Sequence, residues 1–382
     1  ILELGTLNIG SATALGAEAG TFIINGGTTI NVTGATTLSN NHPMQWNGDF
    51  TFTGTNTLAF GTGAVTLGNN CAITASASTL TVGGAISGAY SIIKAGAGTL
   101  VLSNASNTYS AGTTISAGTL NFGSLSAVGN IIFAGGTLQY ASGNTQDISA
   151  LIKNSASAIA IDTNSNDVIF SNVIDSSNTA GLTKSGSGIL TLSNTNTFTG
   201  AVNFNAGTIN ATTIGNLGNG TALTFAGGTL QFNGVFDPSS RTMTFNAGGA
   251  TFDTGANSIT FANSIGNSGA GGLTKSGAGT LTLSGANTFT GGVTLSAGTL
   301  NINNAQALGT VAGTFIINGG TIDNTSAAAI TTNAYPMTWG GDFTFTGTKD
   351  LNLGTGATSM SAARQVTVNG GTFTVGGIIS GA

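Results

Sequence analysis

Few residues in this 382-residue chain could carry chemistry, and their types and spacing narrow the options quickly. The single histidine, His42, rules out a histidine-rich metal site and leaves a Ser–His–Asp triad improbable. It lies in "NNHPMQWNGDF" (40–50), which returns at 333–343 as "NAYPMTWGGDF" with Tyr335 in its slot, so the two copies cannot share a catalytic histidine. Trp46 and Trp339, the only tryptophans, occupy equivalent positions in these copies, each followed three residues later by an acid, Asp49 and Asp342. An indole beside a carboxylate can stack on a sugar ring and bind its hydroxyls. These four residues are therefore the candidate glycan or partner contacts, against the alternative of an indole packed inside the fold. "DTNSND" (162–167), with Asp175 nearby, alternates acid and amide oxygens as a calcium loop does. Its sixth position is Asp167 rather than glycine and its twelfth is Val173 rather than glutamate, so it reads as a polar loop. Arg241 and Arg364 have no acidic companions in sequence, which ranks a polysaccharide-degrading enzyme third among the readings. Cys71 is alone, and no nucleophile elbow or phosphate loop occurs. The expectation is no catalytic residue, no cofactor and no metal.

Composition points the same way. Charged residues make up 5% of the chain, against about 25% in ordinary soluble domains. The hydrophobic fraction of 40% is enough to build a core. The surface must then consist of Thr, Ser, Asn and Gly. Net charge is −5 and the seven basic residues are scattered, which excludes a nucleic-acid footprint. No apolar run is long enough for a membrane-spanning helix, so no membrane insertion by this segment is expected. The chain opens on Ile1 with no signal peptide, and reads as a piece of something longer.

The elements that must position these residues are repeats. "GLTKSGAGTLTLSGANTFTGGVTLSAGTL" (272–300) has near-copies at 92–120 and 182–209, and its lysines, Lys94, Lys184 and Lys275, stand 90 and 91 residues apart. "FAGGTLQY" (133–140) returns as "FAGGTLQF" (225–232). Within each phrase apolar residues alternate with polar ones, as in Leu281 and Leu283 or Val293 and Leu295, which is the period of a strand buried on one face. Gly- and Asn-rich bends separate the bursts. A cycle of about 20 residues, with three short strands and three bends, is the signature of a solenoid. On the largest scale residues 5–89 align without a gap to 298–382, with more than half of the positions identical. The whole of 1–382 thus reads as one continuous β-solenoid, with 5–297 a complete super-repeat of 293 residues and 298–382 the first part of the next. Thr-x-Thr pairs such as Thr280/Thr282 are interrupted by Asn and Ser, so they reflect strand propensity rather than an ice-binding face.

These phrases resemble the autotransporter-associated β-strand repeats of type V secreted bacterial passengers, and of giant surface proteins built from the same repeat. The resemblance implies a right-handed parallel β-helix exported to the cell surface or beyond. The expected function is a structural extracellular solenoid forming a fibre, stalk or adhesive layer. A glycan-binding adhesin module is the alternative. The expected partners are copies of the same protein, covalently in tandem or head to tail, and surface glycans. Ile1–Gly5 aligns inside a phrase and Gly381–Ala382 aligns with residues that run on into one, so both ends are expected to continue into further repeats.

Overall fold

A computed structural model describes residues 1–16, 20–125 and 129–381. Ala382, the last residue of the end alignment, therefore lies outside the described residues. The chain divides into two compact units, Ile1–Gly188 with Thr197–Thr199, and Ile189–Asn196 with Gly200–Ala382. Each unit is a parallel β-solenoid. In the first, one sheet runs Gly5–Ile9, Thr28–Val32, Phe50–Phe52, Cys71–Ala75, Ile92–Ala95, Thr113–Ile115 and Ile131–Phe133. A second joins Phe22–Ile24, Met44–Trp46, Val65–Leu67 and Ile86–Ser87, and a third climbs from Thr36–Thr37 to Leu182–Ser185. In the second unit the longest sheet climbs from Ile189–Leu192 to Ile379–Gly381. Beside it lies another, from Ser258–Phe261 to Val366–Val368. Apart from three short 3-10 turns, no helix occurs among the described residues.

One turn takes between 18 and 23 residues of chain. Thr119 stands opposite Thr137, 18 residues on, and Thr137 opposite Ala160, 23 residues on. Register is held because a one-residue slip would turn every inward side chain outward. Alternation follows the expected pattern: Leu281, Leu283, Leu295, Leu300 and Ile302 are fully buried, while Thr282 is half-buried on the outer face. The interior of the second unit is rich in phenylalanine, with Phe204 and Phe225 stacked at 4.3 Å and Phe252 edge-on to Phe261 at 4.9 Å.

Three strands per turn hold over Phe22–Ser87 in the first unit and over Phe315–Thr374 in the second. The lysine-bearing turns differ. After Thr99–Leu102 the next strand is Thr113–Ile115, and after Thr280–Leu283 it is Val293–Leu295, so these turns have two strands and one strandless side. The reason lies in their Asn-Thr-aromatic stretches, whose side chains replace part of the backbone ladder.

Candidate functional site

The two tryptophan loops do not form a sugar platform. Trp46 is 0% exposed and Trp339 6%, each on the inward phase of its strand. Phe50 meets the Trp46 ring edge-on at 5.1 Å, and Phe343 meets Trp339 at 5.2 Å. Stacking on a glycan needs a free ring face, and neither indole has one, so the structure corrects that reading for both. The acids have a different task. Asp49 accepts the backbone N–H of Ala72 at 2.7 Å, and Asp342 accepts that of Gln365 at 2.9 Å, each reaching into the following turn. His42 is buried, with ring nitrogens 3.0 Å from the Gly20 carbonyl and 3.3 Å from that of Gly16. Tyr335 donates its hydroxyl at 2.8 Å to the carbonyl of Gly309, the equivalent of Gly16 one super-repeat later. Histidine and tyrosine exchange in this slot because both reach the carbonyl of the equivalent glycine, Gly16 or Gly309.

The acid-rich stretch is also structural. Asp162 accepts from Asn164 N–H at 2.7 Å and from Gln139 at 2.8 Å, while Gln139 in turn accepts from Asn121 at 2.9 Å. The ladder Asn210–Gln231–Asp253 repeats this arrangement in the second unit, with bonds of 2.6 and 2.9 Å. Asp175 pairs with Lys153 at 2.6 Å and with Ser177, which holds its carboxyl down to about 2. Among the described residues no three His, Cys, Asp or Glu side chains gather closely enough to hold a metal ion. Cys71 is buried against the Gly48 carbonyl, and burial pushes its thiol up to about 12.

The repeated lysines are the feature that sequence reasoning missed. Lys94, Lys184 and Lys275 were legible as spacing marks, yet all three side chains point into the solenoid and are 0% exposed. Each lies in strand phase with an inward residue two positions earlier, Ile92, Leu182 or Leu273, and this parity was the available signal. Lys275 Nζ donates to the carbonyls of Ser276, Gly277 and Ala297 at 2.8, 2.8 and 3.0 Å. Lys94 does the same to Ala95, Gly96 and Ala117 at 2.8, 2.8 and 3.0 Å. Lys184 donates to Ser185 and Gly186 at 2.7 and 2.8 Å. The glycines make the cage possible. Gly277 has φ +76°, which L side chains rarely adopt, and turns its carbonyl onto the amine. A Cβ on Gly298, in the next turn, would lie 2.4 Å from the carbonyl oxygens of Gly277 and Gly279 and 2.8 Å from Lys275 Nζ. Burial pushes all three ammonium groups down to about 8. The carbonyl oxygens pull the other way, since they stabilise the charged form.

On the strandless side a buried asparagine links turns. Asn107 Oδ1 accepts the N–H of Ile86 at 3.0 Å from the turn below, while Nδ2 donates to the carbonyl of Ser124 at 3.3 Å. Asn287 repeats this with Ile265 N–H at 3.0 Å and the Ala307 carbonyl at 2.6 Å. Two residues on, Tyr109 and Phe289 fill the interior. Register also shows how these turns recur. In the first unit the strand after Lys94, Thr99–Leu102, lies four turns below the Lys184 strand in the same sheet. In the second unit Ile189–Leu192 likewise lies four turns below the Lys275 strand. Within the first unit, from Lys94 to Lys184, ninety residues are thus four turns and one face.

The same turns stand out when the chain is compared with known proteins. The passenger-associated-transport-repeat family model matches residues 92–122, 182–211 and 273–302, each running from the lysine strand to the end of the next turn's second strand. A curated relative, the adhesin BmaC autotransporter of Brucella suis biovar 1 (strain 1330), is 32% identical over 326 residues, which is 76% of this chain and 9% of the relative. The chain thus spans less than a tenth of that relative's length. No solved structure matches. The caged-lysine turn is the physical content of the matched repeat, and by these repeats the chain belongs to the autotransporter passenger repeat family.

Proposed function

We propose that this chain is a structural segment of an adhesin-like autotransporter passenger, displayed outside the bacterial cell as part of a stalk, fibre or adhesive layer, without catalysis of its own. The observation that carries the reading is the caged-lysine turn, repeated at 90-residue spacing and matched three times to a passenger repeat. In this reading the side chains that looked chemical serve the stack: Asp49 and Asp342 tie turns together, and His42 and Tyr335 hold the equivalent glycine carbonyls of Gly16 and Gly309. Its partners are further copies of the same super-repeat, in tandem or head to tail, a reading supported by the gapless alignment of 5–89 with 298–382. A glycan ligand would have to bind the outer Thr, Ser and Asn surface, because the indoles are interior. Antibodies raised against this chain test the display: they should label intact, unpermeabilised cells. Labelling that appears only after permeabilisation would sink the proposal.

A further inference from the structure

Five Asn-x-Ser/Thr triplets occur in the chain, beginning at Asn31, Asn104, Asn210, Asn219 and Asn324. This triplet is the acceptor signature for attaching a sugar to an asparagine amide, and it can act only where that amide is open to solvent. We propose that Asn219 is an N-glycosylation site of the folded chain, taking a hexose from a nucleotide-activated donor. The proposal rests on the surface-display reading for its biological setting only.

The fold separates this asparagine from the other four. Asn31 Nδ2 donates to Asn8 Oδ1 at 2.9 Å, Asn104 Nδ2 to the Gly83 carbonyl at 2.9 Å, and Asn210 Nδ2 to Gln231 Oε1 at 2.6 Å. Asn324 is fully buried and donates to the carbonyls of Ala328 and Asp350 at 2.9 and 2.8 Å. Each of the four amides thus reaches a neighbouring turn, and a bulky sugar on its nitrogen would cut that link. Asn219 is exposed, and so is Thr221, which supplies the hydroxyl of its triplet. Among the described residues no hydrogen bond engages either of these two side chains.

The corner around Asn219 holds the backbone and frees the side chain. Gly218 has φ +71°, a left-handed conformation that turns the chain just before Asn219. Gly220 lies against the turn below, where a Cβ would fall 1.6 Å from the Gly200 carbonyl oxygen. From the turn above, Arg241 Nη1 donates to the Leu217 carbonyl at 2.9 Å, and Nη2 donates to those of Ile214 and Gly218 at 3.1 and 2.6 Å. Thr242 N–H donates to the Thr221 carbonyl at 2.9 Å. The backbone is therefore pinned on both sides of Asn219, which stands at the exposed apex. This also gives the Arg241 guanidinium its task, since its bonds brace the stretch that leads into the acceptor.

The step is a substitution at the anomeric carbon of the donor sugar. Asn219 Nδ2 forms the new N–C bond as the bond from that carbon to the donor's phosphate oxygen breaks. The nucleoside diphosphate leaves with the electron pair, and an amide proton passes to a base of the transferase. On a chain with 5% charged residues, a hydroxylated group at this corner adds hydration to a surface that otherwise relies on Thr, Ser and Asn.

The test treats the purified, folded 382-residue chain with an asparagine glucosyltransferase and UDP-glucose, then maps its chymotryptic peptides by mass spectrometry. Glucose on Asn219, at least tenfold above that on Asn31, Asn104, Asn210 or Asn324, is the expected result. Short synthetic peptides carrying the five triplets should all accept glucose to within about threefold of one another, because only the fold distinguishes them. Asn219→Gln should abolish the modification of the folded chain and leave its melting temperature unchanged. The chain isolated from its own producing cells should carry a hexose on the same residue. An unmodified Asn219 in either sample, or equal modification of the other four in the folded chain, would overturn the site. Because the mapping uses purified chain and total cell protein, its failure is distinguishable from a failure of surface labelling.

Discussion

Replacing Lys275 by methionine separates two opposed effects of burying a charge. Methionine keeps most of the aliphatic stem, so packing against the neighbouring strand residues Phe252 and Leu295 changes little. The variant loses the three bonds to Ser276, Gly277 and Ala297. Leaving buried carbonyls without a donor costs about 1–3 kcal/mol each, hence roughly 3–6 kcal/mol with incomplete loss at some of them. Against this, the variant no longer buries an ammonium whose pKa is pushed from 10.5 to about 8. At about 1.4 kcal/mol per unit, that relief is roughly 3 kcal/mol at pH 7. The net expectation is destabilisation by about 0–3 kcal/mol at pH 7. The pH dependence is more diagnostic. With the folded pKa below the unfolded one, the unfolded chain holds more protons between pH 8 and 10.5, so wild type gains stability as pH rises through that window. Methionine cannot titrate, and the gap between the two proteins should widen by up to about 3 kcal/mol from pH 7 to pH 10. Ionisation of buried Cys71, Tyr109, Tyr140 and Tyr335, all pushed up by burial, destabilises both proteins equally and cancels in the difference. Urea unfolding followed by the fluorescence of buried Trp339, at one-unit pH steps, measures the gap. A Met variant as stable as wild type at pH 7, with a gap that stays flat to pH 10, would refute the cage. Lys349→Met, at an exposed position, is the control and should leave stability at pH 7 nearly unchanged.

Other perturbations read different parts of the stack. Leu281→Asp places an unpartnered carboxylate in the interior and should cost several kcal/mol in urea unfolding, whereas Thr282→Ser on the outer face should be nearly neutral. Gly292 has φ +80° and its Cβ would meet the Thr314 carbonyl at 2.2 Å, so Gly292→Val should abolish hydrogen-exchange protection across 280–305; unchanged protection would remove that bend from the account. Asn287→Ala strands the N–H of Ile265 and the carbonyl of Ala307 and should lower stability by about 2–4 kcal/mol, while Asn287→Asp, which sets a buried carboxylate oxygen against that carbonyl, should cost at least as much. His42→Tyr imitates the second super-repeat and should stay within about 1 kcal/mol of wild type, with His42→Ala clearly lower in melting temperature.

Much of this protein follows from its sequence because the informative signals are local. Alternation of apolar and polar residues at period 2 places Leu281 and Leu283 inside, glycine marks the bends, and recurrence near 20 residues requires turns that can bury their faces only by stacking. The equivalence of Trp46 with Trp339, and of His42 with Tyr335, is likewise written in the chain. What the tertiary structure decided is what each slot does. Strand parity puts Lys275 on the inward side, but a buried ammonium is tolerable only where acceptors converge, and one of its three carbonyls comes from Ala297, 22 residues away in the next turn. The same holds for the strandless sides, where Asn287 replaces ladder bonds by reaching Ile265 and Ala307 in two neighbouring turns. It holds too for Trp46, which is buried against Phe50 and Phe60 rather than left to a ligand. Local pattern determines which way a side chain points. Whether a charge, an amide or an indole can remain there depends on groups from turns above and below, which meet it only once the chain has coiled.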